Sequence, residues 1–288
     1  MRLVILGPTG AGKTEVSYDI ATLFSGEIIS ADSSQVYKYL NIGTNKEIFP
    51  DIKTHLVDII NPNEIYNTHR FIKDSTKIIT SAEKEQKNII LTGGTNFYIK
   101  SLIYSMNFGK IDKKKESEYS TLNKDELQKI LKDKDKEFYL SLNNSDKNNR
   151  RRLLRYISLD TLNKDRKEIF DNRYTLLEIK TNTYDLIKKI EDRTHKMIDL
   201  GILDEIEYVF SLGYSINDPG LQIIGYRECI DYIQGKIKNK KELEEEINHS
   251  TRKLIKKQFT FLYKIKNKVS LNKEDIIPFI QKKNLTSK

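Results

Sequence analysis

Leu3-Val4-Ile5-Leu6-Gly7-Pro8-Thr9-Gly10-Ala11-Gly12-Lys13-Thr14 decides how the whole chain is read. Its first four residues have the apolar character and length of a short buried strand. After Thr14, the residues Val16, Ile20, Leu23 and Phe24 recur at helical spacing. A strand, a glycine-rich loop and a helix, in that order, are the setting a phosphate-binding loop requires. Glycines let successive backbone N–H groups turn inward on a phosphate, and the helix N-terminus adds partial positive charge. In such a loop Lys13 reaches the terminal phosphates and the Thr14 hydroxyl ligates Mg²⁺. Gly7, Pro8, Thr9, Gly10, Ala11, Gly12, Lys13 and Thr14 are therefore candidate ligands for a diphosphate or triphosphate. The loop leaves the chemistry open.

The 288 residues suffice for one large α/β domain with an insertion, or for two modest domains. Hydrophobic residues make up only 38% and charged residues 32%, yet apolar periodicity recurs throughout, which argues for a folded chain. A single cysteine, Cys229, excludes an internal disulfide and any multi-cysteine zinc site. No secretory segment or apolar run of membrane length occurs, so a cytoplasmic protein without membrane contact is expected. The formal charge of +9 is unevenly spread. Residues 1–100 carry 11 basic and 11 acidic side chains, whereas residues 251–288 carry 11 against 2. A neutral first part and a basic remainder fit a polyanionic partner held by the later part. A lysine-rich solvated surface explains the same numbers equally well.

Further along, Glu27-Ile28-Ile29-Ser30 reads as a second strand, ending at the polar cluster Ala31-Asp32-Ser33-Ser34-Gln35. Parallel α/β sheets place their ligands at such carboxyl edges. Residues 55–59 are a third strand candidate, 68–86 a helix, and Asn88-Ile89-Ile90-Leu91 a fourth strand stopped by Gly93-Gly94-Thr95. A helix with Phe97, Tyr98, Leu102 and Ile103 follows. Strands alternating with helices imply a mostly parallel sheet. Residues 110–149 are rich in Lys, Asp, Glu, Asn and Ser and read as an inserted helical arm with too little apolar surface for its own core. The core then comprises residues 1–109 and 150–288. Arg150 opens a helix that gathers Arg151, Arg152 and Arg155 on one flank. Thr175-Leu176-Leu177-Glu178-Ile179 returns to the sheet, and two helices end near Gly201 and Gly213. Residues 241–267 form a long helix with Leu243, Ile247, Leu254, Phe261 and Ile265 on one stripe and Arg252 and Lys256 opposite.

These pieces permit several chemistries. A small-molecule kinase needs arginines around the transferred phosphoryl group and a base for the acceptor. Asp32 could be that base, or a surface carboxylate capping a helix. Gly225-Tyr226-Arg227 supplies a late arginine, and Gly94-Thr95 is either a phosphate contact or a strand-to-helix turn. Residue patterns alone reach a diphosphate-using transferase with a basic side. A non-catalytic RNA-binding protein is disfavoured by the complete loop with Asp32.

Taken together, the motifs resemble bacterial-type tRNA dimethylallyltransferases, the isopentenyl transferases of adenosine-37. The resemblance is carried by Gly7 to Thr14, Glu27 to Lys38, Asn41 to Lys46, His55 to Asp58, Gly93 to Thr95, Ile224 to Glu228 and Thr251 to Gln258, in family order. It implies a P-loop NTPase-like parallel sheet flanked by helices, with a small helical insertion. It also implies that the loop holds dimethylallyl diphosphate with Mg²⁺, and that Asp32 is the base for the adenine N6 amine. Thr14, Lys13 and Arg227 are then expected to neutralise the departing diphosphate. Asp32, Ser33, Ser34, Gln35, Thr95, Arg151, Arg152, Arg155, Arg252 and Lys256 match tRNA-contacting positions. The partner implied is a tRNA anticodon loop whose adenosine-37 is flipped into a channel, and a monomer is expected. A prenyltransferase of free adenine nucleotides is a narrower alternative, against which the basic half weighs. Two departures stand out. Asp146-Lys147-Asn148-Asn149 replaces the family's usual His-Pro-Asn-Asp, and Tyr156-Ile157-Ser158 replaces its Ala-Leu-Glu.

Overall fold

The structure is a computed structural model that describes residues 1–47, 49–104, 109, 111–160 and 169–285. By contacts it divides into one unit of Met1–Tyr104 with Phe170–Lys288 and a second of Ser105–Ile169. In the first, β1 (Arg2–Leu6) leads through the glycine-rich loop to α1 (Lys13–Leu23), then β2 (Gly26–Ser30) and the short β3 (Thr54–His55). Next come α2 (Thr68–Lys84), β4 (Asn88–Thr92) and α3 (Asn96–Ile103). Together with β5 (Tyr174–Ile179) and β6 (Lys268–Leu271), these strands form one sheet in the order β3-β2-β4-β1-β5-β6, every neighbouring pair parallel. All five residues of β1 are buried, as befits a central strand covered on both faces. Val4 stands level with Leu91 on one side and Leu176 on the other. Connections leave β1 and β4 in opposite directions, so a crevice opens at their carboxyl ends.

The third strand is shorter than expected. Leu56 and Asp58 have φ of 64° and 54°, which interrupts an extended run. The amides of Asp58 and Ile59 donate to Gln35 O and Val36 O at 3.1 and 2.9 Å, so this backbone is satisfied by the loop after β2. The buried Lys46 ammonium pins the same turn, paired with Asp58.

In the second unit, α4 (Lys113–Glu118), α5 (Lys124–Lys134), α6 (Lys136–Ser141), α7 (Asn144–Lys147) and α8 (Arg150–Ile157) follow one another closely. Its polar composition reflects caps rather than loose chain. Asp112, Asn123, Asp135, Asn143 and Asn149 each accept from the first turn of the next helix. The expected absence of a core is corrected. Leu127, Leu131 and Phe138 pack with Leu153 and Ile157 into a buried cluster. Because α8 supplies two of those five, the arginine helix belongs to this unit, and the expected boundary at residue 150 moves beyond it. The expected start, residue 110, lies outside the described residues.

The first unit resumes with β5 (Tyr174–Ile179), α9 (Thr183–Asp199), α10 (Ile202–Ser211), α11 (Tyr226–Ile233) and α12 (Lys240–Tyr263). The chain then adds β6 (Lys268–Leu271) beside β5 and α13 (Ile276–Leu285). Ile276 and Ile280 of α13 join Leu3, Ile5, Val16 and Ile20 in the core against α1. The buried stripe of α12 also differs from the expected one. Ile255, Gln258 and Leu262 are buried while Leu254 is 36% exposed. Ile255 packs with Leu186 and Ile190 of α9, which sets the helix's rotation. No described helix is long and apolar enough to cross a membrane.

Candidate active site

At the carboxyl end of β1 the loop turns through Gly12, the residue before α1, at φ 83° in the left-handed region that a side chain would strain. Lys13 folds back along the loop, its Nζ donating to Gly7 O at 3.0 Å and Pro8 O at 2.8 Å. Burial pushes the Lys13 ammonium down to about 8; the Asp32 charge opposes that shift and Arg193 adds to it. Thr9 to Thr14 line a cavity of about 700 Å³.

Asp32 stands on the same cavity wall, two residues beyond β2. Its Oδ1 accepts from Ser34 N at 2.9 Å and Ser34 Oγ at 2.5 Å, and its Oδ2 from Gly94 N at 3.1 Å. The seat depends on two glycines. A Cβ on Gly93 would lie 2.3 Å from the Ala31 carbonyl, and one on Gly94 would lie 2.8 Å from Asp32 Oδ2. Thr95 Oγ1 accepts from Ser33 N at 2.8 Å and donates to Ser33 Oγ at 3.0 Å, tying the β4 loop to the β2 loop. Gln35 is held by Ser30 Oγ at 2.8 Å. Asp32, Ser33, Ser34, Gln35 and Thr95 all line the cavity.

A third element closes this arrangement. Gln258 of α12 is 4% exposed. Its Oε1 accepts from Thr9 N at 2.9 Å, and its Nε2 donates to Thr9 Oγ1 at 3.2 Å and Gly94 O at 2.9 Å. One amide thus joins the phosphate loop to the loop that seats Asp32. The opposite chemistry comes from Ile190 and Met197 of α9 and Ile247 and Leu254 of α12, apolar side chains in the same wall.

Other expected site residues lie elsewhere. Arg227 does not line the cavity; its Nη2 donates to Glu228 Oε1 at 2.6 Å and to Ser250 Oγ at 3.4 Å. Its neighbour Tyr226 is fully buried and accepts from Gly43 N at 3.0 Å, so the Gly-Tyr-Arg run anchors α11 to the loop after β2. Arg252 pairs with Glu191 at 3.2 Å on the outer face of α12, and Lys256 is exposed on the same helix. Arg151, Arg152 and Arg155 belong to α8 of the second unit, where Arg152 pairs with Asp146 and Asn149 caps the helix through Arg152 N. Asp146 and Asn149, two residues of the first departure from the family pattern, therefore serve α8 itself.

Arg193 of α9 lines the cavity and had no motif to mark it. Its signal was positional: in the stripe Leu186, Ile190, Met197 a long cation stands where an apolar residue belongs. A Mg²⁺ ion takes oxygen donors and commonly shares them with substrate phosphates. The Thr14 hydroxyl lies at the wall, and no group of three His, Cys, Asp or Glu able to hold a metal occurs among the described residues. Thr14 is the residue of this wall that would hold such an ion.

Comparison with known proteins shows the family and the fold. The family model described as IPP transferase matches residues 35–266. A tRNA dimethylallyltransferase from Endomicrobium trichonymphae is 36% identical over 275 residues, 90% of each chain. A tRNA delta(2)-isopentenylpyrophosphate transferase structure from Staphylococcus epidermidis superposes with a TM-score of 0.73 at 30% identity, covering 100% of this chain and 99% of that one. The fold is shared with a eukaryotic dimethylallyltransferase acting on tRNA, TM-score 0.82 at 24% identity, over 94% of this chain and 74% of that one. The α/β chain with its P-loop, parallel sheet and helical second unit belongs to the IPP transferase family.

Proposed function

We propose that this chain transfers the dimethylallyl group of dimethylallyl diphosphate to N6 of adenosine-37 in tRNA, with Asp32 as general base. One observation carries the reading: the Asp32 carboxylate is fixed by Ser34 and Gly94 on the wall of the cavity that the phosphate loop lines. The adenine N6 attacks the allylic carbon, the carbon–oxygen bond to the diphosphate breaks, and the N6 proton passes to Asp32. The departing diphosphate takes the bonding electron pair, and the loop amides, Lys13 and the α1 N-terminus stabilise that charge. Mg²⁺ held by Thr14, when bound, neutralises part of the same charge. Apolar side chains of α9 and α12 suit a five-carbon chain better than a nucleoside. The names of the relatives, shared over nine-tenths of the chain, support both donor and acceptor. An anticodon-loop adenine reaches such a cavity only when unstacked.

Incubation with labelled dimethylallyl diphosphate, Mg²⁺ and unmodified tRNA should yield N6-isopentenyladenosine at position 37. Phosphoryl transfer from ATP without a prenylated nucleoside would sink the reading in favour of a kinase. Asp32→Asn should lower prenyl transfer by about 10²–10⁴-fold while tRNA affinity stays within about threefold. Full turnover in that variant would remove Asp32 from the base role.

A further inference from the structure

We infer that the hydroxyls of Ser17 and Thr92 are positioning groups for Mg²⁺, receiving its water shell beside Thr14 while diphosphate is bound. The inference rests on the proposed reading of the cavity as a site for a diphosphate with its metal. Both side chains are buried, Ser17 at 0% and Thr92 at 8% exposure, and both line the cavity. Neither Ser17 Oγ nor Thr92 Oγ1 has a hydrogen-bond partner among the described residues. A buried hydroxyl without a partner costs free energy, so the pair is retained where the cavity's contents supply one. Such a group calls for a polar partner, which the prenyl chain is not.

Their placement follows from α1 and the sheet. Ser17 comes three residues after Thr14 in α1, so the two hydroxyls share one face of that helix. Thr92 ends β4, level with Ile5 of β1 and Ser30 of β2. Side chains alternate along a strand, and Ile90, two residues before Thr92, packs in the core with Val16 and Ile20 of α1. Thr92 is therefore on the α1 side of the sheet, at the edge where the phosphate loop begins. Ser30 stands on the same side, but its Oγ donates to Gln35 Oε1 at 2.8 Å. Ser17 and Thr92 are left as the open pair.

The chemistry of the ion matches such a pair. Mg²⁺ dehydrates reluctantly and keeps several waters when protein and phosphate oxygens hold it. Each of those waters is a donor that needs an acceptor, and the groups that accept from a metal's shell fix where the ion sits. No cage of His, Cys, Asp or Glu does this among the described residues. A hydroxyl oxygen accepts from the water, and its own O–H is still available to donate onward to a diphosphate oxygen or a second water. Being neutral, Ser17 and Thr92 add no negative charge beside the diphosphate, as a carboxylate would. Neither hydroxyl makes or breaks a bond in the transfer; both act through the placement of the ion.

The test is calorimetric titration of inorganic diphosphate, with and without Mg²⁺, into the full-length protein and its variants. These are Ser17→Ala, Thr92→Val, Thr92→Ser and the double variant Ser17→Ala with Thr92→Val. The double variant should bind magnesium diphosphate about tenfold to a hundredfold more weakly, and each single variant should lose part of that, while metal-free diphosphate stays within about twofold of wild type. Thr92→Ser keeps the hydroxyl and should keep the affinity. Without ligand, Thr92→Val should melt at or above the wild-type temperature, because a methyl of the same shape replaces an unpartnered buried hydroxyl. Magnesium diphosphate affinity within about twofold of wild type in the double variant would overturn the inference and leave the hydroxyls to an ordinary buried water. An equal loss with and without Mg²⁺ would also overturn it, by assigning the pair to the loop or to the diphosphate itself. A wild-type protein whose diphosphate affinity ignored Mg²⁺ would instead overturn the reading of the metal, and one that bound no diphosphate the reading of the cavity.

Discussion

Lys13 couples the cavity to pH. Its ammonium titrates near 8 in the folded chain, below the ordinary lysine value, because burial penalises the charge. Above that pH the free site holds a neutral amine; a bound diphosphate favours the ammonium and lifts its pKa. Diphosphate binding should therefore take up a fraction of a proton at pH 8 to 9, and affinity should fall as pH rises through 8. Calorimetry in buffers of different ionisation enthalpy measures that uptake. Identical heats in all buffers would place the charge elsewhere. Folding stability carries the opposite sign. The unfolded chain binds this proton more tightly, so Lys13's penalty on stability shrinks as pH climbs from about 8 toward the ordinary lysine value. Asp32 shows a second lesson of single residues. Its position rests on the absence of two side chains, at Gly93 and Gly94, as much as on any contact it makes.

Among the elements, α12 has two occupations. Its inner face carries Gln258, whose amide spans the phosphate loop and the loop after β4. Gln258→Leu leaves Thr9 N and Gly94 O without this partner, at a cost of about 1–3 kcal/mol by chemical denaturation. Amide exchange at Thr9 should quicken and diphosphate affinity should drop. Unchanged exchange there would show that the loop holds itself. The outer face carries Arg252 and Lys256. Arg252→Ala with Lys256→Ala should weaken tRNA binding across all tRNAs and lower the salt slope by up to about two. Because Arg252 already pairs with Glu191, Lys256 is expected to carry the larger share. A change in stability alone would assign both to the solvated surface.

For the molecule as a whole, the two units have separate apolar cores. One is built on the parallel sheet with α1 and α13, the other on Leu127, Leu131, Phe138, Leu153 and Ile157. Leu131 is fully buried, so Leu131→Ala should cost its unit about 2–5 kcal/mol. Hydrogen exchange should then quicken in α5 and α8 while β1 and β4 keep their protection. Loss of protection in both units together would mean that they unfold as one.

Local pattern sufficed for much of this protein. A run such as Leu3 to Leu6 can be buried on both faces, and a loop such as Gly7 to Thr14 has few uses, because backbone geometry and helix dipole act within a dozen residues. Six strands were more than the pattern showed. Lys268-Val269-Ser270-Leu271 pairs as an edge strand whose side chains are mostly exposed or half-buried, so it carries no apolar run to recognise. The core of the second unit was hidden for the opposite reason. Leu153 and Ile157 lie more than 20 residues from Leu131, and only folding brings them together. At the site, Asp32 and the loop were legible from their motifs. Gln258 as a clamp, Arg193 as the cavity's cation and Arg227 as a partner of Glu228 were not. Each depends on which way a helix is rotated against the sheet. For Arg193 and Gln258 that rotation is decided by packing between α9 and α12, through Leu186, Ile190 and Ile255. Chain-local chemistry set the phosphate loop and the turn that carries Asp32; long-range packing chose the residues that face them.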